Sequence, residues 1–192
     1  MNEVDYFSGD RFVAKKFLEL RNQFNTDIVI ETGTHNGSTT IWLAENYKQV
    51  YTIEIDKDLI EQAKNKCSRF QNVNFSLGDS IQILPKILDE IETRCLFFLD
   101  AHWSSKTPTP KELEIIAEKC KVKPVIAIHD FCNPNNSKLR FDSYPDFRYK
   151  WENIEELVTK IYGNEYLHFY NEESEGDNVG VVYVVPILST GR

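Results

Sequence analysis

Hydrophobic positions along the chain follow two different periods. Phe12, Val13, Phe17, Leu18, Leu20 and Phe24 recur at helical spacing, which predicts an amphipathic helix over residues 10–24 within a helical lead-in of residues 1–26. Short β-branched and aromatic runs then predict strands at residues 27–31, 50–55, 73–77, 95–100 and 124–129. The longer stretches between them predict helices at residues 38–46, 57–70, 80–90 and 110–119, with Pro85 expected to kink the third of these. Such alternation predicts an α/β fold, a mostly parallel sheet with helices on both faces. The tail reads differently: a helix at 151–162, a strand at 166–170, an acidic turn at 171–178 expected to be solvated, and an apolar run at 179–185. That order predicts a C-terminal hairpin that adds an antiparallel strand to the sheet.

Composition narrows the setting. A chain of 192 residues is expected to form one domain spanning 1–192. Its 30 acidic and 22 basic side chains leave a net charge of −8, a field that disfavours nucleic-acid backbones and anionic membranes as partners. The longest apolar run is far short of the roughly 18 residues that span a bilayer, and the first ten residues lack the basic and apolar regions of a secretory signal. Cys67, Cys95, Cys120 and Cys132 lack CxxC spacing, which favours reduced thiols over a disulfide framework or a zinc site and a cytoplasmic setting.

In open parallel sheets, ligands bind beyond the carboxyl ends of the strands. Here those exits are Glu31-Thr-Gly-Thr-His-Asn-Gly-Ser, Glu54-Ile-Asp, Gly78-Asp-Ser, Asp100-Ala-His-Trp and His129-Asp-Phe. Turns alone require glycine, asparagine or serine, not acids and histidines at every exit. Gly33, Thr34, His35 and Gly37, followed by Ser38 or Thr39 as a cap, form a glycine loop opening a helix, where a ligand can approach bare backbone. A dinucleotide fingerprint would need glycine at 35 and 38, so His35 and Ser38 argue against NAD. Glu54 stands about 20 residues beyond Gly33, where a carboxylate accepts hydrogen bonds from a ribose diol; Asp56 is the better placed to cap the next helix. Asp79 suits either an adenine amino group or a helix cap.

Taken as a set, residues 31–38, Tyr51-Thr-Ile-Glu54-Ile-Asp56, Gly78-Asp-Ser and Phe97-Phe-Leu-Asp100-Ala-His-Trp resemble the class I S-adenosylmethionine-dependent methyltransferases. The resemblance covers about residues 27–130 and implies a Rossmann-like sheet with S-adenosyl-L-methionine as cofactor. It implies that Glu31, Gly33, Thr34, His35, Gly37 and Ser38 surround the methionine part, Glu54 and Ile55 the ribose, and Asp79 and Ser80 the adenine edge, with Asp100 bordering the cofactor.

Two acids and an imidazole at the fourth and fifth exits should share one crevice, and close carboxylates repel unless something positive lies between them. The likeness narrows here to small-molecule and sugar O-methyltransferases of the catechol and macrolide types. It implies Mg²⁺ held by Asp100 and Asp130, although His129 stands where that group carries a carboxylate and Phe131 where the catechol enzymes carry a carboxamide. A metal-free alternative uses His102 or His129 as general base. Lys106 in the following loop reads as a solvated lysine. The insert at residues 131–150 interleaves Phe131, Phe141, Tyr144, Phe147 and Tyr149, with Trp151 just beyond, among Asn133, Asn135, Asn136, Arg140 and Arg148. Those rings would stack on an acceptor or pin the insert to the core.

The expected activity is methylation of an oxygen on a small molecule or glycan, with Asp100, His102, His129 and Asp130 carrying the chemistry. Two rivals stand beside it: a non-catalytic module that binds an adenosyl ligand, and a metal-dependent hydroxylase-like or hydrolytic enzyme on the same scaffold.

Overall fold

The structure, a computed structural model, describes residues 5–102, 107–145 and 147–188. Five strands run parallel: β1 (Ile28–Thr32), β2 (Gln49–Glu54), β3 (Val73–Leu77), β4 (Cys95–Leu99) and β5 (Val125–Ile128). The C-terminal hairpin of β6 (Tyr166–Tyr170) and β7 (Val182–Pro186) completes a seven-stranded sheet in the order β3-β2-β1-β4-β5-β7-β6. β7 runs antiparallel to both of its neighbours, β5 and β6, as the hairpin predicted.

Alternation along the strands divides the interior into two cores. Val29, Val50, Leu96, Phe98, Val125 and Ala127 face α1 (Arg11–Phe24) and α2 (Ser38–Asn46), which contribute Val13, Phe17, Leu20, Phe24, Trp42 and Leu43. Ile30, Ile53, Phe97, Leu99, Ile126 and Ile128 face the other way, onto Leu84 and Leu88 of α4 (Ser80–Glu90), Leu113 and Ile116 of α5 (Thr109–Lys119), and Val158 and Tyr162 of α6 (Glu155–Tyr162). The period of two along each strand sends successive side chains to opposite faces, so one sheet supports both layers.

Acids define several helix starts. Asp10 accepts the amides of Phe12 and Val13 at 2.8 and 3.2 Å; Asp56 does the same for Asp58 and Leu59 at the head of α3 (Lys57–Lys66). Both satisfy amides that the first helical turn leaves without partners. Helix α3 ends four residues earlier than its apolar pattern suggests, because residues 67–70 fold into a turn that packs Phe70 under the α1–α2 core. Helix α4 runs on through Pro85. Residues 151–153 form a separate 3₁₀ turn ahead of α6, and β7 starts at Val182 rather than 179 because Gly180 is spent pairing with Phe131. Among the described residues no helix is long and apolar enough to cross a membrane.

The acidic turn at 171–178 is not a free solvated loop. Arg11 donates to both carboxylate oxygens of Glu175 at 2.7 and 3.0 Å, Ser174 donates to Asp10, and the Asp177 amide donates to the Ser8 carbonyl. Gly176 lies so close to the N-terminal turn that a Cβ there would sit 2.0 Å from the Ser8 carbonyl oxygen. The turn at Tyr6–Gly9 is thereby held over the start of α2, where the Phe7 amide donates to Thr39 Oγ1.

Candidate active site

Strand register brings the exits together. Thr32 pairs with Ile53 on one side and Leu99 on the other, and Leu99 pairs with Ile128, so Gly33, Glu54, Asp100 and His129 emerge at one edge of the sheet. The order reverses between β1 and β4, which opens a crevice there. A cleft of about 2120 Å³ occupies it. Ligand pockets usually measure roughly 300–1,000 Å³, so there is room for two molecules side by side.

The glycine loop forms the floor. The amides of Gly33 and Thr34 both donate to the Ile53 carbonyl, folding the loop over β2. Gly33 holds φ +88°, and a Cβ there would lie 2.7 Å from the Asp100 carbonyl oxygen, so only glycine fits between β1 and the β4 exit. The helix cap differs from expectation: Gly37, not Ser38 or Thr39, is the N-cap of α2, and the Asn36 side chain accepts the Ser38 amide instead. Gly37 faces Ala63 of α3, 2.8 Å from where its Cβ would be, so its smallness serves helix packing rather than the cleft.

Glu31 also lies behind the loop. Its buried carboxyl accepts the hydroxyls of Thr40 at 2.6 Å and Thr52 at 2.7 Å, and Thr52 is bonded in turn to Thr34. Burial outweighs those two donors and lifts Glu31 to about 8. Glu54 is different. One carboxylate oxygen accepts the His35 amide at 2.7 Å, the other accepts the Asp56 amide at 2.9 Å, and the group borders the cleft. Asp79 caps α4 through the Ile81 amide and lines the cleft as well, alongside Ser80 and the largely exposed Ile55.

At the other end of the cleft, five titratable groups converge. His129 Nδ1 lies 3.1 Å from Asp100 Oδ1 and 3.0 Å from Asp130 Oδ2. His102 Nε2 lies 3.1 Å from Asp130 Oδ2 and 3.8 Å from Asp100 Oδ1, while its Nδ1 lies 3.2 Å from Asp142 Oδ2. Asp130 adopts φ +53°, a conformation uncommon for a side-chain-bearing residue, and its carboxylate joins the two imidazoles. The hydrogen bond that the His102 ring donates to Asp130, with the nearby carboxylates, raises His102 against the effect of burial. Burial disfavours a charged His129 most of all, yet Asp100 and Asp130 together hold it well above the usual imidazole range. Burial likewise works against ionised Asp130, but the two histidines outweigh it and hold the carboxyl well below the ordinary range.

All four residues expected to carry chemistry are therefore in one place, and sequence reading missed a fifth. Asp142 sits in the insert with no periodic signal, and it accepts the Tyr144 hydroxyl at 2.7 Å. Most of the insert's rings do not face an acceptor. Phe131 and Tyr149 are fully buried, Tyr144 and Phe147 pack on that core, and Trp151 stacks on His168 at 3.6 Å. Phe141, with Leu139, Arg140 and Asp142, is what the insert presents to the cleft. The opposite rim, Ser8, Gly9, Glu175 and Gly176, comes from the N-terminal turn and the hairpin loop. Trp103 and Lys106 lie outside the described residues.

No protein-family model matches this chain. It is 29% identical over 124 residues to an uncharacterised RNA methyltransferase of Oceanobacillus iheyensis, covering 62% of this chain and 26% of that protein. It is 39% identical over 79 residues to a protein-L-isoaspartate O-methyltransferase of Petrotoga mobilis, covering 40% and 35%. The chain thus spans about a quarter to a third of the length of these curated relatives. Among solved structures, an O-methyltransferase of Bacillus cereus in complex with SAH superposes with a TM-score of 0.67 at 19% identity, covering 92% of this chain and 81% of that one. The O-methyltransferase TomG of Streptomyces achromogenes, in complex with SAM, gives 0.65 at 17% identity, covering 91% and 79%. The resemblance read from the strand exits therefore holds at the level of the fold, which is that of the class I methyltransferases.

Proposed function

We propose that this chain transfers the methyl group of S-adenosylmethionine to a hydroxyl oxygen of a small molecule or glycan. The observation that carries this reading is the Glu54 carboxylate, fixed by two backbone amides beside the bare Gly33 loop, in the same cleft as the Asp100, His102, His129 and Asp130 cluster. A carboxylate held from behind by amides keeps its remaining lone pairs for a ribose diol. Ile55, Asp79 and Ser80 then offer an apolar surface and polar edge for adenine, and Thr34, His35 and Ser38 border the methionine part.

Methyl transfer is an in-line displacement. A carbon–oxygen bond forms as the sulfur–carbon bond breaks, the sulfonium becomes a neutral thioether, and the acceptor proton passes to a base. Alignment of the two reactants removes on the order of 7–11 kcal/mol of such a barrier. Asp100 and His102 border the cleft and are placed to take the proton, while the nearly fully buried His129 orients both carboxylates. The fold family's Mg²⁺ is a poor match for this donor set. Magnesium favours carboxylates, phosphates and water, whereas each group of side chains here that could hold an ion, Asp100–His129–Asp130 and His102–Asp130–Asp142, includes an imidazole. No step here is routed through it.

The acceptor end favours a compact neutral or cationic molecule over RNA. Its rim carries Asp142, Glu175 and Asp177, while Arg11 is paired with Glu175 and Arg140 donates to the Asp177 carbonyl. Calorimetry with S-adenosylhomocysteine tests the cofactor half, with micromolar binding expected; absence of heat at millimolar ligand overturns it. Turnover across hydroxylated small molecules, sugars and RNA tests the other half. Binding with no turnover on any acceptor would favour the non-catalytic module.

A further inference from the structure

We propose that Glu112 is a positioning residue for nucleobase recognition: from inside the protein it turns the Ser80 hydroxyl toward the cleft, so that Asp79 and Ser80 present an acceptor and a donor side by side. That pair matches the amino group and ring nitrogen on the edge of adenine. The inference rests on the nucleoside binding proposed above and adds to it a residue that does not itself border the cleft.

Glu112 lies in the first turn of α5 and is completely buried. An acid at a helix start ordinarily accepts the free amides there or favours the positive end of the helix dipole from the surface. This one caps nothing: neither carboxyl oxygen has a hydrogen-bond partner among the described residues. Burying an unpaired carboxyl is costly, so packing alone gives no reason for an acid at this position. Two hydroxyls face it. Thr32, at the end of β1, is buried and its Oγ1 is likewise unpartnered among the described residues; Ser80 stands at the head of α4. Of the three side chains, Ser80 alone lines the cleft.

The protonation of Glu112 decides which way Ser80 donates. Burial pushes the carboxyl up to about 7, outweighing the two hydroxyls, and the charged group that acts on it is another acid, Asp79. Tyr149 faces it from the insert, with its own hydroxyl bonded to Thr107 and Thr109. On α6 the buried Tyr162 is turned to the Pro124 carbonyl, beyond the other end of α5. A neutral carboxyl has one donor and spare acceptor sites. Rotation about the side-chain bonds then lets Thr32 donate to its carbonyl oxygen while its O–H donates to Ser80 Oγ, and the Ser80 hydroxyl is left to donate into the cleft. An ionised carboxylate only accepts. It draws both hydroxyls inward and leaves Ser80 facing the ligand with lone pairs alone. Asp79 keeps its part in either state, because one oxygen accepts the Ile81 amide and the other remains for an amino group.

The test is calorimetry of the full chain with S-adenosylhomocysteine and with its 6-oxo counterpart, S-inosylhomocysteine, which reverses the donor and acceptor on that edge. Between about pH 6 and about pH 8.5 the wild-type affinity for the adenine ligand should fall roughly three- to tenfold, the scale of one hydrogen bond, and its preference over the 6-oxo ligand should fall with it. Glu112→Gln keeps one donor and one acceptor but cannot ionise, so it should retain the affinity and preference seen at low pH and lose most of the decline. Ser80→Ala should bind at the reduced level at both pH values. The difference infrared spectrum between wild type and Glu112→Gln reads the proton itself: a carboxylic-acid carbonyl band at low pH that shifts when S-adenosylhomocysteine binds. Circular dichroism checks the folding of each variant, and if Glu112→Gln does not fold, the pH profile of Ser80→Ala decides. Parallel pH profiles in wild type and Glu112→Gln overturn the inference, as does a decline of equal size in Ser80→Ala; in both cases binding of the nucleoside leaves the methyl-donor reading standing. Absence of binding to either ligand by the folded wild-type chain overturns that reading and the inference with it.

Discussion

The His35 amide donates to Glu54 Oε2 at 2.7 Å, so the tip of the glycine loop and the acid ending β2 are locked as one unit. His35 holds φ +50°, the left-handed conformation that turns its amide in this direction. Removing the carboxylate therefore loosens the loop and removes the proposed ribose partner together. Glu54→Ala is expected to raise the dissociation constant for S-adenosylhomocysteine by roughly 10–100-fold, the scale of one or more charge-assisted hydrogen bonds. Asp56→Ala is the control: it removes a helix cap, costs about 1 kcal/mol of stability and leaves nucleoside affinity nearly unchanged, because its backbone amide still reaches Glu54. Equal loss of affinity in both variants would contradict the division of roles.

Two glycines with positive φ should respond differently to alanine. Gly33→Ala drives a methyl group to 2.7 Å from the Asp100 carbonyl oxygen, against backbone that cannot rotate away. Gly163, at φ +66°, has nothing within 4 Å of its would-be Cβ. Thermal unfolding should show a large loss for Gly33→Ala, about 2 kcal/mol or more, and about 1 kcal/mol for Gly163→Ala from backbone strain alone. Gly33→Ala should also lower turnover, since the displaced backbone carries Asp100.

Burial lifts Glu31 to about 8 and Glu112 to about 7, both above the ordinary carboxylate value of an unfolded chain. The folded state thus holds these protons more tightly. Their contribution to stability is fully present below the unfolded value of roughly 4.3 and is lost as pH rises through the folded values. Urea midpoints are expected to fall between pH 5 and about 8.5 on this account. Glu31→Gln keeps an acceptor for Thr40 and Thr52 but cannot ionise, so its midpoint should fall less over that window. A parallel decline in the variant would mean Glu31 does not bear the proton.

Gly176→Val tests the far rim. Its side chain would collide with the Ser8 carbonyl and push the hairpin loop away from the N-terminal turn. Expected consequences are a raised KM for the acceptor, a modest fall in melting temperature and a smaller change in the affinity for S-adenosylhomocysteine, whose proposed methionine contact at Ser38 adjoins the Tyr6–Gly9 turn. Arg11→Ala should do much less. Its pairing with Glu175 is solvent-exposed, and such pairs contribute roughly 0–1 kcal/mol.

Phe141→Ala probes the one ring of the insert that is both exposed and on the cleft. If it contacts the acceptor, KM rises while stability barely changes. Tyr149→Phe offers the contrast: its hydroxyl is bonded to Thr107 and Thr109 in the interior, so the change should lower stability and leave KM alone.

Local chemistry made much of this protein legible from its sequence. The spacing of Phe17, Leu20 and Phe24 gave the buried face of α1, the β-branched runs gave the strands, and the acids at strand ends gave Glu54, Asp100 and Asp130 as groups sharing one sheet edge. These follow from backbone period and strand polarity, which act over a few residues. The tertiary structure alone decided where the rings of the insert went, that Glu31 and Gly37 stand behind the loop, and that Asp142 joins His102. It also decided that Arg11 meets Glu175 across 164 positions, turning an acidic loop into a wall of the cleft. The reason is physical: residues far apart in sequence leave no mark on local periodicity, and their meeting is fixed only when the two cores close around the sheet.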